Sequence, residues 1–420
     1  MSTTEPYQDR SGRPRPVRRA SALAYRPFRI YFIGSLLAMN ALRLGAVAQG
    51  LLIWDLTGSV LSLGIIAAAV ALPMMIVNVF GGVLADRFEA RNILGGSSLV
   101  GAALLVTLGI LDLNGIVQPW HVVTIAVMSG LVAGADQPSR QAYFPSLVPA
   151  SALKSAITIN GSLLASASVV APTLGGLLIA AAATHVGFFV AAGGWVAMFI
   201  ATLFLPRRGS SKNQRSVIRE LATGFSFIRN HRVLLVLMVL TFSNMLMGFG
   251  WIGLLPAYVD QFGGGAREVG FLFSSAGVGA LSGIVVTGRL SPGRHAGKLI
   301  LGAAAAFSAT MLLVANSPSL WFGMALAAVA HFGNGMFNIS ALVAVQLRVP
   351  DAIRGRVMGV FAISQSIGLL GGLWTGALAA AIGLRAGMLV GPIILLALIF
   401  TVFVTQRKVR ELHEDPALHG

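Results

Sequence analysis

An all-α membrane protein of twelve transmembrane helices in two six-helix halves is the architecture this sequence predicts. Three observations carry that prediction. Apolar residues make up 56% of the chain and charged residues only 10%, with a mean hydropathy of +0.81 and 50 glycines in 420 residues, a balance that belongs to polytopic membrane proteins. The apolar residues come in runs long enough for a helix to cross a bilayer, separated by short polar turns; a crossing takes about 20 residues. Finally, 27 of the 30 Lys and Arg residues fall on one side of the resulting zigzag.

In chain order, residues 1–29 are a polar, Arg-rich tail, and the first six spans are read at 30–53, 60–85, 93–112, 120–138, 153–181 and 186–205. Breakers mark the turns between them, among them Thr57-Gly58, Asn114-Gly115 and Gln118-Pro119. A longer loop, 206–232, divides the spans six and six. Within it Val217, Ile218, Leu221, Phe225 and Ile228 recur at helical spacing while Arg215, Arg219 and Arg229 stay polar. That pattern predicts an amphipathic helix on an anionic membrane surface. The second six spans are read at 233–258, 268–288, 299–316, 319–346, 354–381 and 386–405, ahead of a short tail at 406–420. The side rich in Lys and Arg holds both termini and the 206–232 loop, so both termini are expected in the cytoplasm. Arg267 and Arg385 lie on the other side, and Arg43 lies within the first span.

Composition also limits function. A net charge of +16 could suggest nucleic acid, but its carriers are scattered among turns rather than gathered on a domain, so no nucleic-acid partner is expected. The chain has no cysteine, which removes disulfides and thiolate metal sites. No metal or cofactor is expected, and no enzyme motif survives inspection. Gly277-Val278-Gly279 lies inside a span with no strand before it, and Gly293 to Lys298 is too short for a phosphate loop. The two halves match at an offset of about 201, with Val148-Pro149 against Val349-Pro350 and Gly175 against Gly376. A parallel repeat with a binding site between its halves is how alternating-access carriers are built.

The turn Gly82-Val83-Leu84-Ala85-Asp86-Arg87-Phe88-Glu89-Ala90-Arg91 resembles the signature that the major facilitator superfamily carries between its second and third helices. It departs from that signature at Glu89 and Ala90. Ala48-Gln49-Gly50 with Trp54, Leu56-Thr57-Gly58-Ser59, Asp136 to Ala142 and Arg354 to Gly359 resemble its bacterial drug and siderophore exporter branch. Ala171-Pro172-Thr173-Leu174-Gly175-Gly176 is similar to the antiporter motif of proton-coupled exporters, which points to Pro172, Gly175 and Gly176. The resemblance implies the major facilitator fold and a conformational gate formed by Gly82, Asp86, Arg87, Arg91, Asp136, Arg140 and Arg354. In that gate Asp86 would cap the N-terminus of span eleven, where the helix dipole favours a carboxylate, and Arg91 with Asp136 would complete a charge relay that breaks when the cytoplasmic side opens.

Intramembrane charge is expensive and usually faces a wet cavity. Arg43 and His331 are the ionisable residues placed near mid-membrane, and the superfamily's spans one, four, seven and ten line its cavity. Helical spacing puts Asn40 with Arg43 on span one, Asn244 with Trp251 on span seven, and His331 with Asn334 and Asn338 on span ten. These seven are the expected substrate-binding residues. Coupling candidates are Asp55, Asp86, Asp136 and His331. The expected protein is a monomeric secondary transporter in the cytoplasmic membrane of a bacterium, with a small molecule, protons and membrane lipids as partners. It exports an organic compound against protons. Uptake or exchange of an anionic metabolite, and a non-transporting sensor or scaffold, are the alternatives.

Overall fold

A computed structural model describes residues 21–87, 89–207, 217–290 and 295–412. The first half holds α1 (Arg26–Thr57), α2 (Val60–Arg87), α3 (Ala90–Leu113), α4 (Pro119–Tyr143), α5 (Leu153–Ala181) and α6 (Thr184–Leu203). The loop helix α7 (Val217–Asn230) follows. The second half holds α8 (Arg232–Gly248), α9 (Leu255–Asp260), α10 (Ala266–Arg289), α11 (Ala296–Ala315), α12 (Leu320–Arg348), α13 (Asp351–Ile382) and α14 (Leu384–Thr405), with a last turn α15 (Arg407–Arg410). Eleven of the spans are long and apolar enough to cross a bilayer. The twelfth, α4, has the length but carries Asp136 and Arg140, and packs between α2 and α3. Helices are the form that satisfies every backbone donor and acceptor without water.

Twelve crossings bring both ends of the described residues, Ser21 and Leu412, to one face, called here the terminal face. Trp120 and Trp321 mark the opposite, far face. They stand at the start of α4 and α12, and are exposed at 59% and 63%, as interfacial tryptophans are.

The seventh span, read from sequence as one helix over 233–258, is broken. α8 stops at Gly248, a 3-10 turn runs from Gly250 to Leu254, and α9 follows. Pro256 has no N–H to continue the ladder, and Gly250 sits where a Cβ would meet the Gly371 carbonyl oxygen at 2.4 Å. The turn lets the backbone of this span press on α13.

The loop helix α7 is covered by protein rather than by a leaflet on its buried face. Gly224 sits against the Arg356 carbonyl of α13, Leu221 lies against Gly359, and Ile228 is buried. Phe225 alone of the described apolar stripe stays exposed, at 60%. The side chains of Val217, Ile218, Arg215 and Arg219 lie outside the described residues.

The halves meet through two helix pairs, α2 with α13 and α5 with α10, and glycine sets the spacing in both. A Cβ on Gly64 would stand 2.8 Å from the Gly372 oxygen, and one on Gly270 would stand 2.4 Å from the Pro172 oxygen. Gly376 lies against the Val60 oxygen at 3.0 Å and Gly176 against the Ala266 oxygen at 2.5 Å. The two pairs are repeat images, since residues 172 and 176 answer to 372 and 376. The working offset at this contact is therefore 200 rather than the 201 read from Gly175 and Gly376. Gly175 instead faces Leu44 inside its own half.

Pro172 explains one of these contacts further. Lacking an N–H, it leaves the carbonyl four residues back free, and that carbonyl, Ser168, is the one Gly277 of α10 approaches at 2.4 Å. Beside it Ser274 donates to the Val169 oxygen (2.7 Å), and Thr173 donates to Ser274 (2.6 Å).

All these approaches lie between the middle of the helices and the far face. Two or three turns toward the terminal face, the same helix faces carry Gly161 on α5 and Gly288 on α10. A Cβ on either meets nothing within 4 Å, and Ile157 and Val285 nearby are exposed at 55% and 52%. The described contacts thus seal the far face while α5 and α10 part toward the terminal face.

Gly64→Val and Gly270→Val are expected to wedge the far ends apart. Overpacking of this kind costs about 1–3 kcal/mol, enough to shift a two-state equilibrium about 5- to 150-fold. With no native cysteine as background, Val269→Cys, buried in the native protein, should react at least about fivefold faster with an impermeant thiol reagent in either wedge variant. Unchanged reactivity would mean that these contacts do not hold the far face closed.

Candidate functional site

Arg43 stands on the face of α1 that looks toward the second half. Seven residues on, Gly50 places its Cα where a Cβ would lie 3.8 Å from Pro256 of α9, and residues seven apart on a helix share a face. The Arg43 side chain is exposed. Among the described residues it has no hydrogen-bond or ion-pair partner. One turn away Asn40 donates to the Leu36 oxygen (2.6 Å) and reaches Ser166 of α5 at 3.4 Å. A guanidinium keeps its charge, so an accessible, unpaired one in the membrane interior is a ready receptor for an anion or for acceptor oxygens.

The candidates of the second half sit differently. Asn244, Trp251, His331 and Asn334 are all at least 97% buried, inside the half rather than along its inner face. Asn338 donates to the side-chain oxygen of Asn334 (2.6 Å), and Asn334 donates to that of Asn244 (2.9 Å), which ties α12 to α8. His331 is surrounded by the rings of Phe249, Trp251 and Phe307, with centroids 5.5 to 5.9 Å away. The pattern of polar residues on span ten was visible in sequence. Its direction was not, because close packing against α10 turns that stripe inward: Gly279, Gly283 and Gly335 bring the α10 and α12 backbones together.

Near the terminal face, Asp136 and Arg140 form the principal charged feature of the first half. Arg140 is buried and holds both carboxylate oxygens of Asp136, at 2.5 and 3.1 Å. Its remaining donors reach Ser35 of α1 (2.7 Å) and the Met198 sulfur of α6 (3.6 Å), while Ser97 of α3 donates to Asp136 (3.1 Å). One ion pair therefore fastens α1, α3, α4 and α6. The expected relay between Arg91 and Asp136, one that breaks when the cytoplasmic side opens, is not formed in this conformation, where Asp136 is held by Arg140. Arg91 instead donates to the Thr202 and Leu203 carbonyls (2.7 and 3.2 Å), satisfying the open C-terminal end of α6. Ser35 and Ser97 were missed in the sequence, where nothing distinguishes them from other small residues in apolar runs.

Gly82, Asp86 and Arg87 fall in α2, but the side chains of residues 79–88 lie outside the described residues, so the capping of α13 by Asp86 stays an expectation. Arg354 pairs with Asp351 (2.5 Å) within the first turn of α13. At the far face Asp55 of α1 and Asp260 of α9 line one cavity of about 250 Å³ together with Trp54, Pro256 and Ala266. Of the antiporter motif, Pro172 and Gly176 are in the contact between the halves, and Gly175 packs within the first.

Breaking a buried pair while leaving one charge behind costs about 3–5 kcal/mol, whereas replacing both charges by apolar groups is close to neutral. Asp136→Asn is therefore expected to lower the thermal midpoint of the purified protein sharply. Combining Asp136→Leu with Arg140→Met should recover most of the loss. A full loss in both variants would show that the pair is not fastening the bundle in this way.

Known proteins agree with this architecture. Similar solved structures include the nucleoside transporter NupG, with TM-score 0.69 and 16% identity over 90% of this chain and 98% of that one. A bacterial homologue of the human lysosomal transporter Spinster, in an inward-facing and occupied conformation, gives 0.71 and 16% over 94% and 99%. In sequence, the enterobactin exporter EntS of Shigella boydii serotype 18 is 24% identical over 394 residues, 91% of this chain and 93% of its own. The uncharacterized MFS-type transporter YfiS of Bacillus subtilis is 25% identical over 364 residues, 80% and 82% of the two chains. Residues 19–419 match the family described as transmembrane secretion effector, and this chain accordingly belongs to that family, within the major facilitator superfamily.

Proposed function

We propose that this protein exports a small organic anion, or a compound rich in acceptor oxygens, from the cytoplasm in exchange for protons, by alternating access. The observation that carries this reading is Arg43: exposed, without a partner among the described residues, and facing the opposite half of the bundle. The terminal face is taken as cytoplasmic because it bears the Lys and Arg residues. The sealed far face and parted α5 and α10 then describe a carrier open to the cytoplasm, ready to load. Kinship with a protein named as an enterobactin exporter supports outward transport, and its bacterial relatives support an inner-membrane location.

Carboxylates are the preferred proton carriers. Asp55 lines the cavity between the far ends of the halves, where a proton from outside meets it first. Asp136 is held by Arg140, so its protonation would release a buried guanidinium and loosen four helices at once. Asp86 stays a third candidate through its motif. His331, enclosed by rings on a helix that carries no acid, ranks last. Uptake or exchange of an anionic metabolite is the second reading, since Arg43 serves an anion moving either way.

Inverted membrane vesicles with an acidified interior separate the two. Export predicts that a fluorescent carboxylate dye accumulates as the pH gradient collapses, and that Arg43→Gln lowers this at least tenfold while a cationic dye is unaffected. Accumulation only under the opposite gradient would favour uptake. A native preference for cationic dyes would remove Arg43 from the site.

A further inference from the structure

His331 carries more chemical information than its burial. Its Nδ1 lies 2.9 Å from the Ala327 carbonyl oxygen, and a carbonyl only accepts, so Nδ1 bears the proton. In the neutral ring Nε2 is then an acceptor, and it is buried with no partner among the described residues. Neutrality follows from the surroundings. The charged groups of the elements packed around His331 are Arg232 on α8, Asp260 on α9, Arg267, Glu268 and Arg289 on α10, Lys298 on α11 and Arg348 on α12. All stand at helix ends, which leaves an imidazolium here without a counter-charge.

Two donors beside this acceptor are orphaned as well. The Trp251 Nε1 is buried without a partner, and its ring touches His331 at 5.5 Å between centroids. The Asn244 Nδ2 is buried without a partner too. Its orientation is set, because its Oδ1 accepts from Asn334 (2.9 Å) and Asn334 sits one turn from His331 on α12. Orphaned buried donors and acceptors cost about 1–3 kcal/mol each, and a single hydroxyl shared by the three would satisfy them all. Such a group accepts from N–H groups and donates to an imidazole nitrogen.

We propose that Asn244, Trp251 and His331 form a closed hydroxyl-binding site inside the second half, walled by Phe249 and Phe307. The hydroxyl oxygen accepts from the indole and amide N–H groups and its proton is given to His331 Nε2. An internal water supplies that group in the resting protein, or a hydroxyl of the cargo supplies it during transport; only the second source rests on the proposed export. On the cargo branch the protein reads its substrate at two points, negative charge at Arg43 and a hydroxyl at His331.

A double-mutant cycle on the purified, ligand-free protein tests the site. Trp251→Phe and His331→Phe each remove one partner of the shared hydroxyl, so the double variant should lose no more thermal stability than the worse single one. His331→Gln, whose amide oxygen restores an acceptor, should keep near-native stability and the coupling to Trp251. The same samples are then titrated with 4-hydroxybenzoate and benzoate. At least tenfold tighter binding of 4-hydroxybenzoate, lost in His331→Phe, identifies cargo as the source. Coupling in the cycle without that discrimination identifies an internal water. Additive losses together with equal binding of the two probes would overturn the proposal, and this holds whether or not transport is found in vesicles.

Discussion

Backbone touching backbone across the two halves is the contact on which the rest of this structure depends. Gly64, Gly270, Gly176 and Gly376 bring carbonyl oxygens of the opposite half to within 2.4 to 3.0 Å of where a Cβ would stand. In a membrane the attraction between helices comes from close packing and from hydrogen bonds, so removing side chains at the seam strengthens it. Because the seam is made by repeat images, it has an approximate two-fold symmetry. Pro172 adds a second use of the same economy, exposing the Ser168 carbonyl for α10 to cover.

A rocking mechanism also needs rigid bodies. The first half obtains one from the Asp136–Arg140 pair, which joins α1, α3, α4 and α6 and resists deformation because any separation strands a charge in a low-dielectric interior. The second half is held by the asparagine chain from α12 to α8 and by the small-residue packing of α10 on α12. The first solution is ionic and the second is neutral. That difference leaves Arg43 as the accessible charge near the centre, on the half that already manages a buried arginine.

Much of this was legible in the sequence, and the reasons are physical. Hydropathy reveals spans because lipid leaves no alternative to a helix, so all twelve appear, with edges shifted by a few residues. Asp136 and Arg140 were found by motif, with Asp136 expected to join Arg91 in a relay, and their pairing with each other was not read. One-dimensional spacing puts Arg140 one turn from Asp136, and only the fold brings Ser35 and Ser97 to complete the site. His331, Asn334 and Asn338 were recognised as a polar stripe, but which way a stripe faces depends on neighbours. The glycines of α10 that pull α12 close decide it. The break in the seventh span was hidden for a similar reason, since Gly250 and Pro256 are tolerated in many membrane helices, and Gly250 acts here because α13 presses on it.

The central claim is that sealing at the far face and opening at the terminal face belong to one motion. Spin labels at Thr184→Cys and Gly265→Cys, on the cavity between the far ends, report the far mouth, and labels at Gly161→Cys and Gly288→Cys report the terminal one, on a chain with no cysteine of its own. Pulsed distance measurements in liposomes, across a range of pH, test the claim directly. The account predicts two populations at each site, with the far distance lengthening in the same proportion of molecules in which the terminal distance shortens. A single fixed distance at both sites, or two distances that change independently, would contradict it.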